Sequence, residues 1–160
     1  MTGRAVRLWL SQMPWQSDLT IKLYIMNVKY LIVHCSATIE GKDFRAKDID
    51  KWHKQQGWSG IGYHYVIDLD GTVEKGRDES KAGAHCYGHN SESLGICYIG
   101  GLAKDGKTPK DTRTDAQKTA LKKLLKELKL KYTKAKIVGH SKFAKKACPC
   151  FNAESEYKNL

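Results

Sequence analysis

Residues 139–151 read GHSKFAKKACPCF and directly follow the short apolar run Ile137-Val138. The apolar run predicts the end of a β-strand, so the loop after it presents His140 and then Cys148. Imidazole nitrogen and thiolate sulfur are ligands that zinc prefers, and a zinc site needs about three or four such groups. This loop therefore predicts part of a metal site, with at least one more ligand to come from elsewhere.

The best candidate for that ligand is His34, at the end of the strand-like run YLIVH, residues 30–34. Alternation over residues 28–34 places Val28, Tyr30, Ile32 and His34 on one face and Leu31 and Val33 on the other. Cys35, the next residue, points away from His34 in this pattern, which argues against Cys35 as a ligand. Two strand-end histidines and a loop cysteine would leave a fourth position open to water, as in catalytic zinc sites.

Spacing alone leaves other interpretations open. A single histidine at a strand end is more often a hydrogen-bonded polar residue, and a single cysteine is more often a small core residue. Cys150 also gives the loop a second thiol, so the sulfur that would bind a metal is not settled by the pattern.

Length and composition predict one domain in 160 residues, large enough to bury a core without disulfides. Five cysteines cannot all pair, so we expect reduced thiols in a protein made in the cytoplasm. The sequence contains no apolar run of about 18 residues and no recognisable signal peptide. We therefore expect no membrane insertion.

The net charge of +11 is concentrated in the last third of the chain. Residues 104–160 contain 16 Lys and Arg against 6 Asp and Glu, whereas residues 1–103 contain 12 against 11. A one-sided basic region favours an anionic partner such as nucleic acid or bacterial cell wall, although a lysine-rich helix face can also be merely solvated. No recognised nucleic-acid-binding motif accompanies it, so we expect no specific nucleic acid.

Hydrophobic periodicity predicts strands interleaved with amphipathic helices. In the first half, Asp43 is the predicted N-cap of a helix that ends before Gly57, and residues 62–68 read as a strand with Tyr63, Tyr65 and Ile67 on one face. Asp70-Gly71 is a hairpin signal, residues 72–74 begin the return strand, and residues 94–99 form another strand.

In the second half, Thr114 and Gln117 form a capping-box pattern before a helix with leucines at core spacing. A strand over residues 135–138 and a short helix over residues 154–159 follow. These elements predict an α/β fold, a single layered domain with a mixed central β-sheet flanked by helices.

Several segments together resemble the zinc-dependent N-acetylmuramoyl-L-alanine amidases, a superfamily that includes T-odd phage lysozyme and the peptidoglycan recognition proteins. The resemblance is greatest to the phage lysozyme branch and extends from about Met26 to Phe151. The segments are VHCSAT (33–38), WHKQQGW (52–58), GYHY (62–65), DGTVE (70–74), GRDE (76–79) and KACP (146–149). Residues 26–160 are thus the predicted catalytic domain, and residues 1–25 are an N-terminal extension outside the resemblance.

The resemblance implies one Zn²⁺ per chain with His34, His140 and Cys148 as ligands. It also implies Tyr63 and Lys146 as catalytic residues, although alone they read as a core aromatic and a member of a basic run. Similar segments in the family line the substrate groove, which implies substrate contacts for three residues: His85, His89 and Asn90. A second metal site or a bystander loop are the alternatives for that glycine-rich segment.

The implied activity is peptidoglycan hydrolysis at the amide between the lactyl group of N-acetylmuramic acid and L-alanine. The implied role is that of a phage or prophage endolysin, a monomer held in the cytoplasm until its release to the cell wall. One alternative is a non-catalytic peptidoglycan-binding protein, although such relatives typically lose the cysteine ligand that Cys148 supplies here. Another alternative is a regulator that binds a protein partner such as RNA polymerase.

Overall fold

The computed structural model describes residues 26–160, so the predicted N-terminal extension lies outside the described part of the chain. This part of the chain forms seven strands and three α-helices. The strands are β1 (Tyr30–Cys35), β2 (Thr38–Ile39), β3 (Tyr65–Ile67), β4 (Val73–Lys75), β5 (Ser93–Tyr98), β6 (Gly101–Leu102) and β7 (Lys136–Gly139). The helices are α1 (Ala46–Gln55), α2 (Asp115–Lys131) and α3 (Ala153–Glu156), with 3₁₀ turns at Asn90–Glu92 and His140–Lys142.

Five of the strands form one mixed sheet in the order β4-β3-β5-β1-β7, which confirms the predicted fold class. Strands β3, β5, β1 and β7 are parallel, and β4 is antiparallel at one edge. The β3–β4 hairpin turns at the predicted Asp70-Gly71, where Gly71 has a φ of +85° that a glycine adopts without steric cost. Strands β2 and β6 form a separate parallel pair.

The two faces of β1 follow the predicted alternation. Leu31 and Val33 are buried in the core beneath α2, whereas Ile32 packs on the opposite face with Val138. Val28 was predicted on the face of His34, but it belongs to the α2 core instead. The alternation fails there because β1 begins only at Tyr30, and period-two geometry holds only within a strand.

Tyr63 lies on the face opposite to its predicted one. Tyr65 and Ile67 share one face, as predicted, and pack in the α2 core, but Tyr63 packs against the cluster that contains Val66. The reason is that β3 starts at Tyr65, and the chain before it is tied to α1 by the Gly62 N–H. The Tyr63 ring therefore lies on the same side of the sheet as His34.

The N-cap of α1 is Arg45, not the predicted Asp43. The Arg45 N–H donates to the Asp48 carboxylate at 2.8 Å, and the Arg45 guanidinium donates to the buried Asp68 at 2.7 Å. A tertiary ion pair thus determines where α1 begins. The predicted capping box of α2 is present, with Thr114 accepting from the Gln117 N–H.

Gln117 connects the start of α2 to the sheet. Its side chain is fully buried, accepts from the Thr114 N–H at 2.9 Å and donates to the carbonyl oxygens of Ile67 and Ile99 at 3.2 and 3.0 Å. Within residues 26–160, no helix is both long and apolar enough to cross a membrane.

We expect Gln117→Leu to lower the free energy of unfolding by about 2–4 kcal/mol, because it leaves the Thr114 N–H and the Ile99 carbonyl without this partner. Chemical denaturation measures the change. Lys118→Ala, on the exposed side of the same turn, is the control and should stay within about 0.5 kcal/mol of the parent. Equal stability of Gln117→Leu and the parent would contradict this role.

Candidate metal centre and active site

Parallel strand pairing brings the predicted histidines together. Val33 is in register with Gly139 in the β1–β7 pair, so His34 and His140 emerge at the same end of the sheet. Their ring centroids are 4.5 Å apart. The sulfur of Cys148 lies 3.8 Å from Nδ1 of His34, and one ligand atom from each of the three residues lies within 4.8 Å of the others.

The fold holds Cys148 in this place through its neighbours. The Cys35 N–H donates to the Cys148 sulfur at 3.2 Å, and the Ser141 N–H donates to the Cys148 carbonyl at 2.8 Å. The buried Tyr98 hydroxyl donates to the Pro149 carbonyl at 2.7 Å. The cysteine loop is therefore tied to β1, to the histidine loop and to β5.

Cys150 points to a different place. Its sulfur lies 3.9 Å from that of Cys35 and 3.3 Å from the Gly101 carbonyl oxygen. Burial raises the pKa of the Cys150 thiol to about 12, which favours a protonated side chain. Cys35 also points away from His34, as strand alternation predicts. In the described part of the chain, the three-donor cluster contains Cys148 and neither of these thiols.

The donor set fits a zinc ion. Burial, followed by the neighbouring His85, lowers the pKa of His34 well below its usual value, and burial followed by the charge of Lys146 lowers that of His140. Both rings are therefore neutral and keep a lone pair for a cation. Tetrahedral ligands at about 2.0 and 2.3 Å from zinc lie about 3.5 Å apart, close to the observed nitrogen–sulfur separation.

Tyr63 lies beside the cluster, with its ring centroid 5.0 Å from that of His34. Burial raises the pKa of its phenol well above the usual value, so the hydroxyl remains a donor at neutral pH. The backbone around it is held on both sides. The Gly62 N–H donates to Nδ1 of His53 at 2.9 Å, and the Arg77 N–H donates to the Tyr63 carbonyl at 2.8 Å.

An open groove of about 630 Å³ leads to these residues. Lys146 lines it and is exposed, and its charge acts on both His34 and His140. Two large aromatic rings also line the groove while remaining exposed, Trp58 at 39% and Tyr87 at 99%. The groove thus combines a cluster of metal-binding groups, a cation and aromatic surfaces.

The three residues expected to contact substrate occupy different environments. His85 and Asn90 line the groove, but their polar atoms contact other protein groups. Nδ1 of His85 lies 2.9 Å from Nε2 of His34. Oδ1 of Asn90 accepts hydrogen bonds from the N–H groups of His85 and Cys86. His89 is not among the residues that line the groove. Its ring stacks on that of Phe143, with the ring centroids 3.9 Å apart, and its Nδ1 lies 3.0 Å from a carboxylate oxygen of Glu92.

Sequence reasoning assigned no role to four residues that shape this site: Cys35, His53, Trp58 and Tyr87. His53 and Trp58 occur in the segment WHKQQGW that carries the resemblance, and their rings lie 4.4 Å apart. Tyr87 occurs in the glycine-rich segment next to His85. The backbone contact of Cys35 with the Cys148 sulfur has no signal in the sequence, because it joins residues 113 positions apart.

Comparison with known proteins agrees with this geometry. The family model described as N-acetylmuramoyl-L-alanine amidase matches residues 25–151. The endolysins of Klebsiella phage KP32 and Escherichia phage T7 are 48% and 44% identical over 122 residues, which cover 76% of this chain and 80% of each relative.

Solved structures with a similar fold include an amidase and a peptidoglycan recognition protein. The N-acetylmuramoyl-L-alanine amidase LysC from Clostridium intestinale is similar with a TM-score of 0.68 and 32% identity, covering 83% of both chains. The bumblebee recognition protein PGRP-SA has a TM-score of 0.69 and 27% identity, covering 85% of this chain and 83% of that one. The match to the family model covers most of the chain and includes all three residues of the donor cluster, so this chain belongs to the N-acetylmuramoyl-L-alanine amidase family.

Proposed function

We propose that this protein is a zinc-dependent endolysin that hydrolyses the amide between the lactyl group of N-acetylmuramic acid and L-alanine in peptidoglycan. The observation that carries the proposal is the convergence of His34, His140 and Cys148 at an open groove, in a chain of the amidase family. A protein that only binds peptidoglycan, without hydrolysing it, would have no need for Cys148 as a third metal ligand. The groove is open enough for a substrate that is part of a polymer.

His34, His140 and Cys148 would hold the zinc ion, with a further position left for water or substrate. When bound, zinc lowers the pKa of a water ligand to about 7 and polarises an attacked carbonyl. Paired strands position two of these residues, because His34 lies near the end of β1 and His140 directly follows β7, and backbone hydrogen bonds fix the position of the third.

Lys146 and Tyr63 would supply charge and a proton. Attack on an amide carbonyl places negative charge on its oxygen, and the exposed ammonium of Lys146 lies on the groove to stabilise it. An ammonium has three donors and no lone pair, so it can act here as a charge and not as a ligand. The protonated Tyr63 hydroxyl can donate a hydrogen bond within the site or pass a proton toward the leaving nitrogen.

We place the action of the protein at the cell wall, after synthesis in the cytoplasm and release. Peptidoglycan is the proposed partner. The monomeric state and a protein partner such as RNA polymerase stay predictions from the family resemblance.

The test of the function is the release of peptides with a new N-terminal L-alanine from purified peptidoglycan. We expect release to stop with a strong chelator and to return with added zinc. Glycan cleavage without new L-alanine amino termini would overturn the proposed bond specificity, and full activity in the chelator would overturn the metal requirement.

The two loop cysteines give a matched pair for the metal. Cys148→Ala should lose bound zinc and activity, whereas Cys150→Ser should keep both, because its sulfur faces Cys35 and Gly101. Zinc content of purified variants, measured by mass spectrometry of the metal, decides between them. If Cys150→Ser loses zinc and Cys148→Ala keeps it, the metal-binding sulfur is that of Cys150 and our assignment is wrong.

We expect Lys146→Ala to retain zinc while turnover falls by about a hundredfold or more, the usual loss for one oxyanion donor. Lys146→Arg should recover only part of the rate, since its planar guanidinium places charge differently. Lys145→Ala, one residue away and also exposed, is the control and should change turnover little. Near-normal turnover of Lys146→Ala would leave Lys146 without a catalytic role.

Deleting residues 1–25 should leave the amidase activity largely intact. The family match begins at residue 25, and every proposed ligand and catalytic residue lies after it. The peptide-release assay on the chain starting at Met26 measures this. A truncated protein that has a cooperative melting transition but no activity would show that the extension belongs to the catalytic unit.

A further inference from the structure

The imidazole of His85 sits in a slot between two glycines. A Cβ on Gly95 would lie 2.6 Å from Cγ of His85, and a Cβ on Gly83 would lie 2.5 Å from its Cδ2. Atoms do not approach this closely without displacement, so the absence of side chains at both positions is what admits the ring. The backbone of His85 is also held, since its N–H donates to Asn90 Oδ1 at 2.8 Å.

Both nitrogens of this ring face partners inside the protein. Nδ1 lies 2.9 Å from Nε2 of His34, and Nε2 lies 3.3 Å from the hydroxyl of the buried Ser93. The Ser93 hydroxyl lies 2.7 Å from the His89 carbonyl oxygen, which can only accept. The contacts form a continuous chain from His34 to a backbone carbonyl.

We propose that His85 is a positioning residue that fixes the tautomer and orientation of His34 through this chain, and not a residue that contacts substrate. The inference rests on the proposed role of His34 as a metal ligand. By this inference, His85 contributes to metal affinity through its contact with His34, and Ser93 contributes through its contact with His85. Neither residue belongs to the donor cluster itself.

The direction of each hydrogen bond follows from the carbonyl at the end of the chain. The Ser93 hydroxyl must donate to that carbonyl, so it accepts from the His85 Nε2–H. Nδ1 of His85 then carries a lone pair and accepts from the His34 Nε2–H. His34 is left with its lone pair on Nδ1, the nitrogen that faces the Cys148 sulfur. One proton arrangement satisfies every group, and it presents the metal-binding nitrogen to the cluster.

Such an arrangement removes two costs of metal binding. The neutral ring of His34 does not have to change tautomer, and its plane does not have to become ordered when the metal arrives. Partners of this kind, which accept from the outer nitrogen of a ligating histidine, typically change metal affinity by 10–100-fold.

Three substitutions at His85 separate the acceptor from the volume of the ring. Asn places an oxygen near the position of Nδ1 and can accept from His34. Leu has nearly the shape of Asn but has no atom that can accept a hydrogen bond from His34. Gln has an amide that lies one bond farther from the backbone, near Ser93 and not near His34. Affinity for zinc is measured by competition with a chromogenic chelator, and thermal melting of the metal-free proteins monitors folding.

We expect His85→Leu to bind zinc 10–100-fold more weakly than the parent and His85→Asn to recover most of this loss. His85→Gln should resemble Leu, which keeps the comparison decisive if the Leu variant does not fold. A merely structural role for His85 would make affinity follow the melting temperature of the metal-free proteins, with no advantage for Asn over Gln.

Parent-like zinc affinity in His85→Leu or His85→Gln would overturn the inference while leaving the proposed amidase function in place. Equal weakening in the Asn and Gln variants would also overturn it. If the parent protein itself binds no zinc, or if Cys148→Ala retains it, the metal assignment fails and the inference fails with it. The measurement thus distinguishes failure of the positioning role from failure of the site.

Discussion

Parallel pairing of β1 with β7 is the constraint on which the site depends. Parallel strands end at the same edge of a sheet, so residues that follow them in sequence meet in space. His34 and His140 are 106 positions apart in the chain, yet the register of Val33 with Gly139 brings their rings to 4.5 Å. A shift of one residue in this register would turn His34 to the α2 face and remove it from the cluster.

The cysteine loop depends on a second interaction, which lies deeper in the molecule. The Arg113 side chain is only 2% exposed, pairs with Asp111 at 2.9 Å and with Glu156 at 2.8 Å, and has its guanidinium 3.3 Å above the Phe151 ring. A buried cation is tolerated only when it is paired in this way. The network anchors α3 and the chain just after Cys150, next to the loop that carries Cys148.

The proposed metal ligands and the exposed residues of the groove belong to different parts of the structure. The proposed ligands rest on buried strands and on a chain of hydrogen bonds through His85, whereas Lys146, Trp58 and Tyr87 lie on an exposed groove. A metal site benefits from ligands that are ordered in advance, because binding then pays less ordering entropy. A polymeric substrate needs an accessible surface, and both kinds of residue line the same groove.

Local patterns in the sequence determined the features that depend on neighbouring residues. The alternation within β1, the Asp70-Gly71 turn and the Thr114–Gln117 capping box were all predictable, because backbone geometry sets them within a few positions. Only the tertiary structure decided which loop sulfur joins the histidines, which face Tyr63 occupies and what His85 contacts. The contacts of His85 and Cys148 with His34 join residues 51 and 114 positions apart, and the face of Tyr63 depends on where β3 begins and on a contact with α1. No local periodicity records these features.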